Sequence, residues 1–311
     1  MERRVLREFC DLDHFREQLY GRDASAIQIE PGPISIRFGY INLEDVIFSD
    51  KRVNRRFIDH PRIGMGWTYF VINLAPAIFC GIAVKEGHLT ILQSGREYRS
   101  VLASNWHAIG IMIQTSVLAK EGIGQAPDRN LRIEGASIAL PVELIGIFRR
   151  LAEAAFDSND SIPADNTRLR GAILRAVDKA LRTGSRARNT LRPPRAIEGY
   201  ELTSKMIRYV ESRFGQHVGV NETARELNVS PRALHYAARS TLGLSPRDLI
   251  LTFRLNHVRN ELWDMRRSDA SITHAALAQD FGHLGRFSQQ YSALFGELPS
   301  RTLQRIRSLV D

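Results

Sequence analysis

Hydrophobic and polar positions change rhythm twice along this chain. From residue 27 to about 125, apolar residues alternate with polar or small neighbours, starting with Ile27 and Ile29 and continuing with Ile34, Ile36, Phe38 and Tyr40. A period of two marks a half-buried strand, because successive side chains point to opposite faces. Pro31-Gly32-Pro33 interrupts the first run. Further strands are predicted at Val46–Ser49, Arg55–Asp59, Trp67–Leu74, Phe79–Val84, Leu89–Gln93 and His107–Gln114, with turn signals such as Lys85-Glu86-Gly87-His88 between them. Many short strands at this spacing predict a small barrel or sandwich. After Pro141 the period lengthens. Leu144, Ile145, Phe148, Leu151 and Ala155 recur at helical spacing, as do Leu169, Ile173, Ala176, Val177 and Leu181. Two amphipathic helices are expected there, covering the β-rich region, with a dimer seam as the alternative.

The third rhythm is a helical pattern that occurs twice. The first copy runs from Val220 to Leu234 and the second from Ile272 to Phe287. Each reads as a helix with a small residue in its middle, a tight turn and a second helix. Ala224 and Ala276 take the small positions, where the two helices approach. Asn228 and Asp280 take the turns, since both residue types tolerate positive φ. Ser230-Pro231 and Ser245-Pro246 place an N-cap before a proline at the first helical position. Leu242-Gly243 and Phe295-Gly296 supply glycine stops. Leu251, Leu255, Val258 and Leu262 predict one long helix, about 246 to 263, joining the copies. A helix-turn-helix presents its second helix to a DNA major groove, and two copies fit two neighbouring grooves when held about 34 Å apart.

This pattern sets the expected architecture, a multidomain α+β chain. A β-rich effector or dimerisation domain with flanking helices spans 1–181, an Arg/Pro-rich linker 182–199, and an all-α domain with two helix-turn-helix units 200–311. Charge adds a little. The net charge is +9 at 311 residues. Residues 1–181 hold 23 Lys and Arg against 22 Asp and Glu, whereas 182–195 hold five arginines and no acid. The surplus therefore sits beside the duplicated helices, where a polyanion would bind. Two cysteines, Cys10 and Cys80, form neither a disulfide framework nor a metal spacing. No apolar run reaches the roughly 18–20 residues that span a bilayer, and Met1-Glu2-Arg3-Arg4 lacks the apolar stretch of a signal peptide. A cytoplasmic location is expected.

Candidate chemistry follows from these placements. On the first second-helix, Arg232, His235, Tyr236 and Arg239 fall opposite the inward-facing Leu234 and are expected to reach base edges or phosphates. On the other, Phe287, Tyr291 and Phe295 read as core, leaving Leu284, Gly285, Arg286, Ser288 and Gln289 for the duplex. In the β-rich region, Trp67, Tyr69, Phe79, Arg96 and Trp106 are a candidate effector pocket, with core filling as the plainer explanation for each aromatic alone. His60, His88 and His107 do not have paired metal-ligand spacing. No nucleophile elbow, phosphate loop or zinc motif is present, so neither an enzyme nor a cofactor is expected.

The stretch from about Lys205 to Arg307 resembles the arabinose-regulator (AraC) family of bacterial transcription factors. The resemblance rests on Asp280-Phe281-Gly282-His283-Leu284-Gly285-Arg286-Phe287-Ser288 and Tyr291-Ser292-Ala293-Leu294-Phe295-Gly296-Glu297-Leu298-Pro299-Ser300. The His-Leu-Gly-Arg-Phe wording is most similar to the branch that includes the ethanolamine-operon regulator. The resemblance implies an N-terminal domain that binds an effector or dimerises and a C-terminal domain that activates transcription at promoter DNA with RNA polymerase. It also implies DNA contacts by the two recognition-helix sets named above. Two departures stand out: Ala238 replaces a usual bulky aromatic, and Ala275 a larger aliphatic. A regulator controlled by a protein partner instead of a ligand is the alternative expectation.

Overall fold

The computed structural model describes residues 4–17, 22–95, 98–124, 137–156, 166–183, 185–186, 194–213, 215–265 and 271–309. The chain divides into two compact units. The first consists of Met1–Asp11, Phe15–Ser25 and Ser35–Thr190; the second consists of Leu12–His14, Ala26–Ile34 and Leu191–Asp311. Two short early segments thus group with the late helices, although the expected boundaries place them in the 1–181 domain.

The first unit is built on two antiparallel sheets. Its larger sheet contains β1 (Arg4–Phe9), β3 (Ile36–Asn42), β4 (Val46–Val53), β11 (Trp106–Gln114), β6 (Trp67–Asn73), β9 (His88–Gln93), β12 (Ser137–Ala139) and β13 (Ser185–Arg186), in that spatial order. The smaller orders β2 (Arg22–Gln28), whose residues from Ala26 onward belong to the second unit, then β5 (Phe57–Ile63), β10 (Ser100–Leu102), β7 (Ala77–Phe79) and β8 (Ile82–Val84). The expected single strand Phe79–Val84 is two strands. Cys80 at φ 48° and Gly81 at φ 74° form the hairpin turn between them, because consecutive positive-φ residues match the twist of paired strands.

Short helices α1 (Leu12–Glu17) and α2 (Thr115–Lys120) precede the two predicted amphipathic ones, α3 (Val142–Phe156) and α4 (Asn166–Thr183). One face of the large sheet packs beneath α3 and α4. Phe48, Phe70, Ile72, Ile109, Ile111, Phe148 and Ile173 form the centre of that core. Phe156 lies over Gly39, 2.6 Å from where a Cβ would stand, and stacks on Phe48 at 5.9 Å between centroids. Arg170 of α4 ties this layer to the β3–β4 turn through a bidentate pair, Nε to Asp45 Oδ1 and Nη2 to Asp45 Oδ2, both 2.7 Å. Those hydrogen bonds hold the Asp45 carboxyl below its ordinary value.

Within the second unit lie α5 (Pro194–Ser212), α6 (Val220–Glu226), α7 (Pro231–Leu242), α8 (Pro246–Asp264), α9 (Ile272–Ala278), α10 (Leu284–Phe295) and α11 (Pro299–Arg307). The start of α5 at Pro194 falls inside the stretch 182–199 read as linker, and residues 184 and 187–193 of that stretch lie outside the described residues. Residues 26–34 form a strap against α8 and the end of α10. Asn256 clasps the strap backbone from both sides: its Oδ1 accepts from Gln28 N, and its Nδ2 donates to Gln28 O, both at 2.9 Å. Gln28 Nε2 and Gly32 N donate to Leu294 O, at 3.0 and 2.9 Å. At Gly296 a Cβ would meet Pro33 Cδ at 2.7 Å, so the strap adds a second reason, besides φ 75°, for glycine at this helix end.

Candidate nucleic-acid interface

Each predicted helix pair forms around the turn that its sequence calls for. Asn228 and Asp280 adopt φ 53° and 59°. Ser230 Oγ accepts from Ala233 N at 3.1 Å and so begins α7; Ser245 Oγ does the same for Asp248 N at 3.2 Å and begins α8. Ala224 and Ala276 are buried where small side chains are needed. The connecting α8 covers 19 residues, about 28 Å at 1.5 Å per residue.

The first pair has a lean core. Leu234, Ala237, Ala238 and Leu242 are buried on α7, and α5 packs against this helix, with Thr203 Oγ1 bonding Thr241 Oγ1 at 3.4 Å. A Cβ on Gly199 would sit 3.2 Å from Ser240 Oγ. Ala238 is fully buried between its neighbours Ala237 and Leu242 on the inward face of α7. Arg232, His235 and Tyr236 are exposed along the opposite face, Tyr236 at 61%. Arg239 is exposed too, but its Nη1 donates to Gly243 O at 3.0 Å. It closes the C-terminus of α7 and sits a full two turns from Arg232.

The second pair is cored by rings. Phe281, Phe287, Tyr291 and Phe295 follow one another with centroids 5.0, 5.7 and 4.5 Å apart. Cations clamp both ends, Arg254 over Phe281 at 4.5 Å and Arg259 over Phe295 at 4.6 Å. A polar chain supports them: Tyr291 Oη donates to Thr302 Oγ1 at 3.0 Å, and both Thr302 Oγ1 and Arg305 Nη2 donate to Glu297 Oε1 at 2.8 Å. Burial pushes the Glu297 carboxyl up, but the bonds from Arg305 and Thr302 and the charges of Arg305 and Arg259 outweigh it and hold it low. On the outer face Leu284, Gly285, Arg286 and Gln289 are exposed and Ser288 is half-buried. Nothing lies within 4 Å of a Cβ on Gly285.

A cleft of about 640 Å³ opens within the second unit among α6, α8 and α10, lined by His217, Arg247, Arg254, Asp280, His283 and Arg286. Asp280 Oδ2 meets His217 Nδ1 at 2.8 Å and Arg254 Nη2 at 3.4 Å. His217, Arg247 and Arg254 are basic positions that the repeat pattern does not single out, because they lie outside both second helices.

The candidate effector residues do not converge on one site. Trp67 pairs with Gln114 at one end of β11 and Trp106 begins the other end, eight residues or about 26 Å away. Tyr69 fills the space over Gly110, where a Cβ would meet its Oη at 2.6 Å. Phe79 and Trp106 are buried. Arg96 lies outside the described residues. Trp67 is half-buried, whereas Trp106 packs in the core with Phe15 and Phe57 around the buried Lys51, whose ammonium lies 4.5, 5.0 and 5.5 Å from the rings of Phe15, Phe57 and Trp106. His60 accepts a hydrogen bond from Arg99 Nε and is pushed down to about 3, by burial first and then by the charges of Arg99 and Arg62. His88 Nδ1 lies 2.7 Å from Ser137 Oγ. Among the described residues no group of three or more His, Cys, Asp or Glu is placed to hold a metal, and no helix is long and apolar enough to cross a membrane.

Two helix pairs, each joined by a tight turn and set on a connecting helix, define the class, a chain with a helix-turn-helix type of C-terminal domain. Residues 223–305 match a family described as "Helix-turn-helix domain". The chain is 33% identical over 107 residues to "XylDLEGF operon transcriptional activator 2" of Pseudomonas putida, covering 34% of this chain and 68% of that protein. It is 32% identical over 108 residues to "XylDLEGF operon transcriptional activator 3" of the same organism, covering 35% and 33%. Among solved structures, a probable AraC family transcriptional regulator from Rhodopseudomonas palustris is 31% identical, with 34% of this chain and 98% of that chain covered, at a TM-score of 0.32. The chain belongs to the AraC family of transcription regulators. It matches about a third of the length of most of its curated relatives in Pseudomonas putida, all of the similarity being carried by a stretch of little more than 100 residues.

Proposed function

We propose that this protein activates transcription from promoter DNA, that its two helix pairs both act as helix-turn-helix reading units, and that its β-rich unit senses a small molecule. The observation that carries the reading is the pair of α7 and α10, each exposing its outer face at either side of α8. That rod, about 28 Å long, spaces the two helices on the scale of the ~34 Å that separates neighbouring major grooves. Arg232, His235 and Tyr236 contact base edges or phosphates in one groove, with Arg239 on the backbone. Arg286, Ser288 and Gln289 do so in the next, where Leu284 and Gly285 allow close approach without hydrogen bonds. Ligand binding shifts the population of chains able to dock both helices, and RNA polymerase is the partner that reads the result.

Fluorescence anisotropy of the full chain on fragments from its own promoter region tests this. Specific binding is expected, weakening linearly in log affinity with log salt as phosphate contacts release counterions. Inserting about five base pairs between the two contacted segments turns one groove away and is expected to abolish the specific component. Binding that ignores both sequence and insertion sinks the proposal.

A further inference from the structure

Strand alternation puts Asp50-Lys51-Arg52 on two faces of β4. Lys51 points between the sheets into its aromatic box, filling the space with the chain's own cation. Asp50 and Arg52 point the other way, toward α3. There a cleft of about 210 Å³ lies between sheet and helix, lined by Asp50, Arg52, His107, Arg149 and Glu153 above an apolar floor that includes Phe156.

The charged groups of this cleft are not arranged as surface charges usually are. The Asp50 side chain is only 9% exposed. Its Oδ1 lies 2.6 Å from His107 Nε2 and its Oδ2 3.4 Å from Arg52 Nε. The Asp50 carboxylate thus has its partners within the wall, and it fixes the Arg52 and His107 side chains by one end. Arg52 keeps its terminal nitrogens, and half of its side-chain surface, open. Arg149 stands on the helix wall, its one ion pair among the described residues a 3.3 Å contact with Glu86, which is itself 60% exposed and outside the cleft. A guanidinium on each wall, an apolar floor and a small concave volume suit a planar anion with a hydrocarbon body.

We infer that this cleft, on the outer face of the β-rich unit and not between its sheets, binds a small organic monocarboxylate, held by Arg52 and Arg149 over Phe156. The carboxylates of Asp50 and Glu153 set the charge limit, since a dianion would face both. The volume sets the size limit, because it falls below the ~300–1,000 Å³ of sites for drug-sized ligands. Phe156 ends α3 and touches Gly39 and Phe48, so an occupant rests directly on the helix–sheet contact. The inference rests on the sensor reading of this unit, and gives it a location and a ligand class.

Isothermal titration of the full chain with hexanoate, and with hexylamine as its charge-inverted counterpart, is the test. Saturable uptake of one hexanoate per chain is expected, with no saturable heat from hexylamine. Arg149→Ala and Arg52→Ala are each expected to weaken hexanoate at least tenfold, Arg149→Lys less, and Glu153→Gln to strengthen it slightly. Both arginines are half exposed, so these variants keep the fold, which circular dichroism verifies. Absence of saturable hexanoate binding, unchanged binding in both alanine variants, or preference for hexylamine overturns the site. DNA affinity measured on the same samples separates the two readings. Hexanoate uptake through the arginines with no change in promoter affinity keeps the site and removes the sensor role. A promoter response to another compound, without hexanoate uptake, removes the site and keeps the sensor.

Discussion

The two helix pairs share a backbone plan and differ in almost everything else. The first exposes Arg232, His235 and Tyr236 and is cored by Leu234, two alanines and Leu242. The second presents Leu284-Gly285 and is cored by four aromatic rings, two of them capped by arginines. Side chains that read DNA must be long and polar, which leaves them little part in packing; side chains that fix a helix must be large and apolar. The chain has divided these demands. Under the proposed function, one pair reads the duplex and the other holds its position.

The comparison breaks most readily in the ring core. Tyr291→Ala removes a fully buried ring together with its bond to Thr302, and is expected to cost about 3–5 kcal/mol by urea denaturation. A cost under about 1 kcal/mol would deny the second pair its role as the rigid partner. Next comes reading. Arg232→Ala is expected to lose about 1–3 kcal/mol of promoter affinity, whereas Leu284→Ala changes it by less than about 0.5 kcal/mol. Equal losses would make the pairs equivalent readers. If Arg232→Ala lowers affinity uniformly for all sequences, that residue contacts phosphate and the first pair reads through its neighbours.

Acid sharpens the contrast further. Glu297 is held below its unfolded value of about 4.5, so its contribution is present above that pH and is lost as the pH falls through the lower folded value. Amide exchange is expected to show α10 and α11 loosening in that window ahead of α7, and Glu297→Gln to erase the difference. Simultaneous loosening in both proteins would place the acid-sensitive group elsewhere. The smallest effect is Gly285→Ala. With open space around its Cβ, stability should stay within about ±0.5 kcal/mol, and any loss of DNA affinity then measures how closely α10 approaches the duplex.

Elements whose signals are local were legible in the sequence. Asn228 and Asp280 name their turns because few residues accept positive φ, and serine–proline steps name helix starts because both favour the same few dihedrals. Cys80 gave no such warning, since nothing about cysteine predicts a left-handed turn, and Phe79–Val84 therefore read as one strand. Ile27 and Ile29 announced burial correctly but not against what, as alternation reports that a face is covered and is silent about the cover. The aromatic effector set was not legible as one place, because a ring lining a cavity and a ring filling one look alike in sequence. For Trp106 the buried Lys51 answers that question, and its inward direction follows from register, which only the paired strands establish. The charged cleft was half legible: Asp50 and Arg52 share a face by alternation, but Arg149 and Glu153 join them only through the packing of α3.

The strap has a consequence in time. Gln28 bonds Asn256 across 228 positions, and a chain made at ~5–20 residues per second emerges with Gln28 roughly 10–45 s before its partner exists. Ala26, Ile27, Ile29 and Ile34, all buried in the finished molecule, are synthesised well before α8 and wait for it to supply their cover. Nascent chains stalled before α8 should therefore display an apolar ribbon that full-length protein hides, a natural target for chaperones. A gene fragment beginning at α5, however well it forms its helices, is missing a piece of its own core.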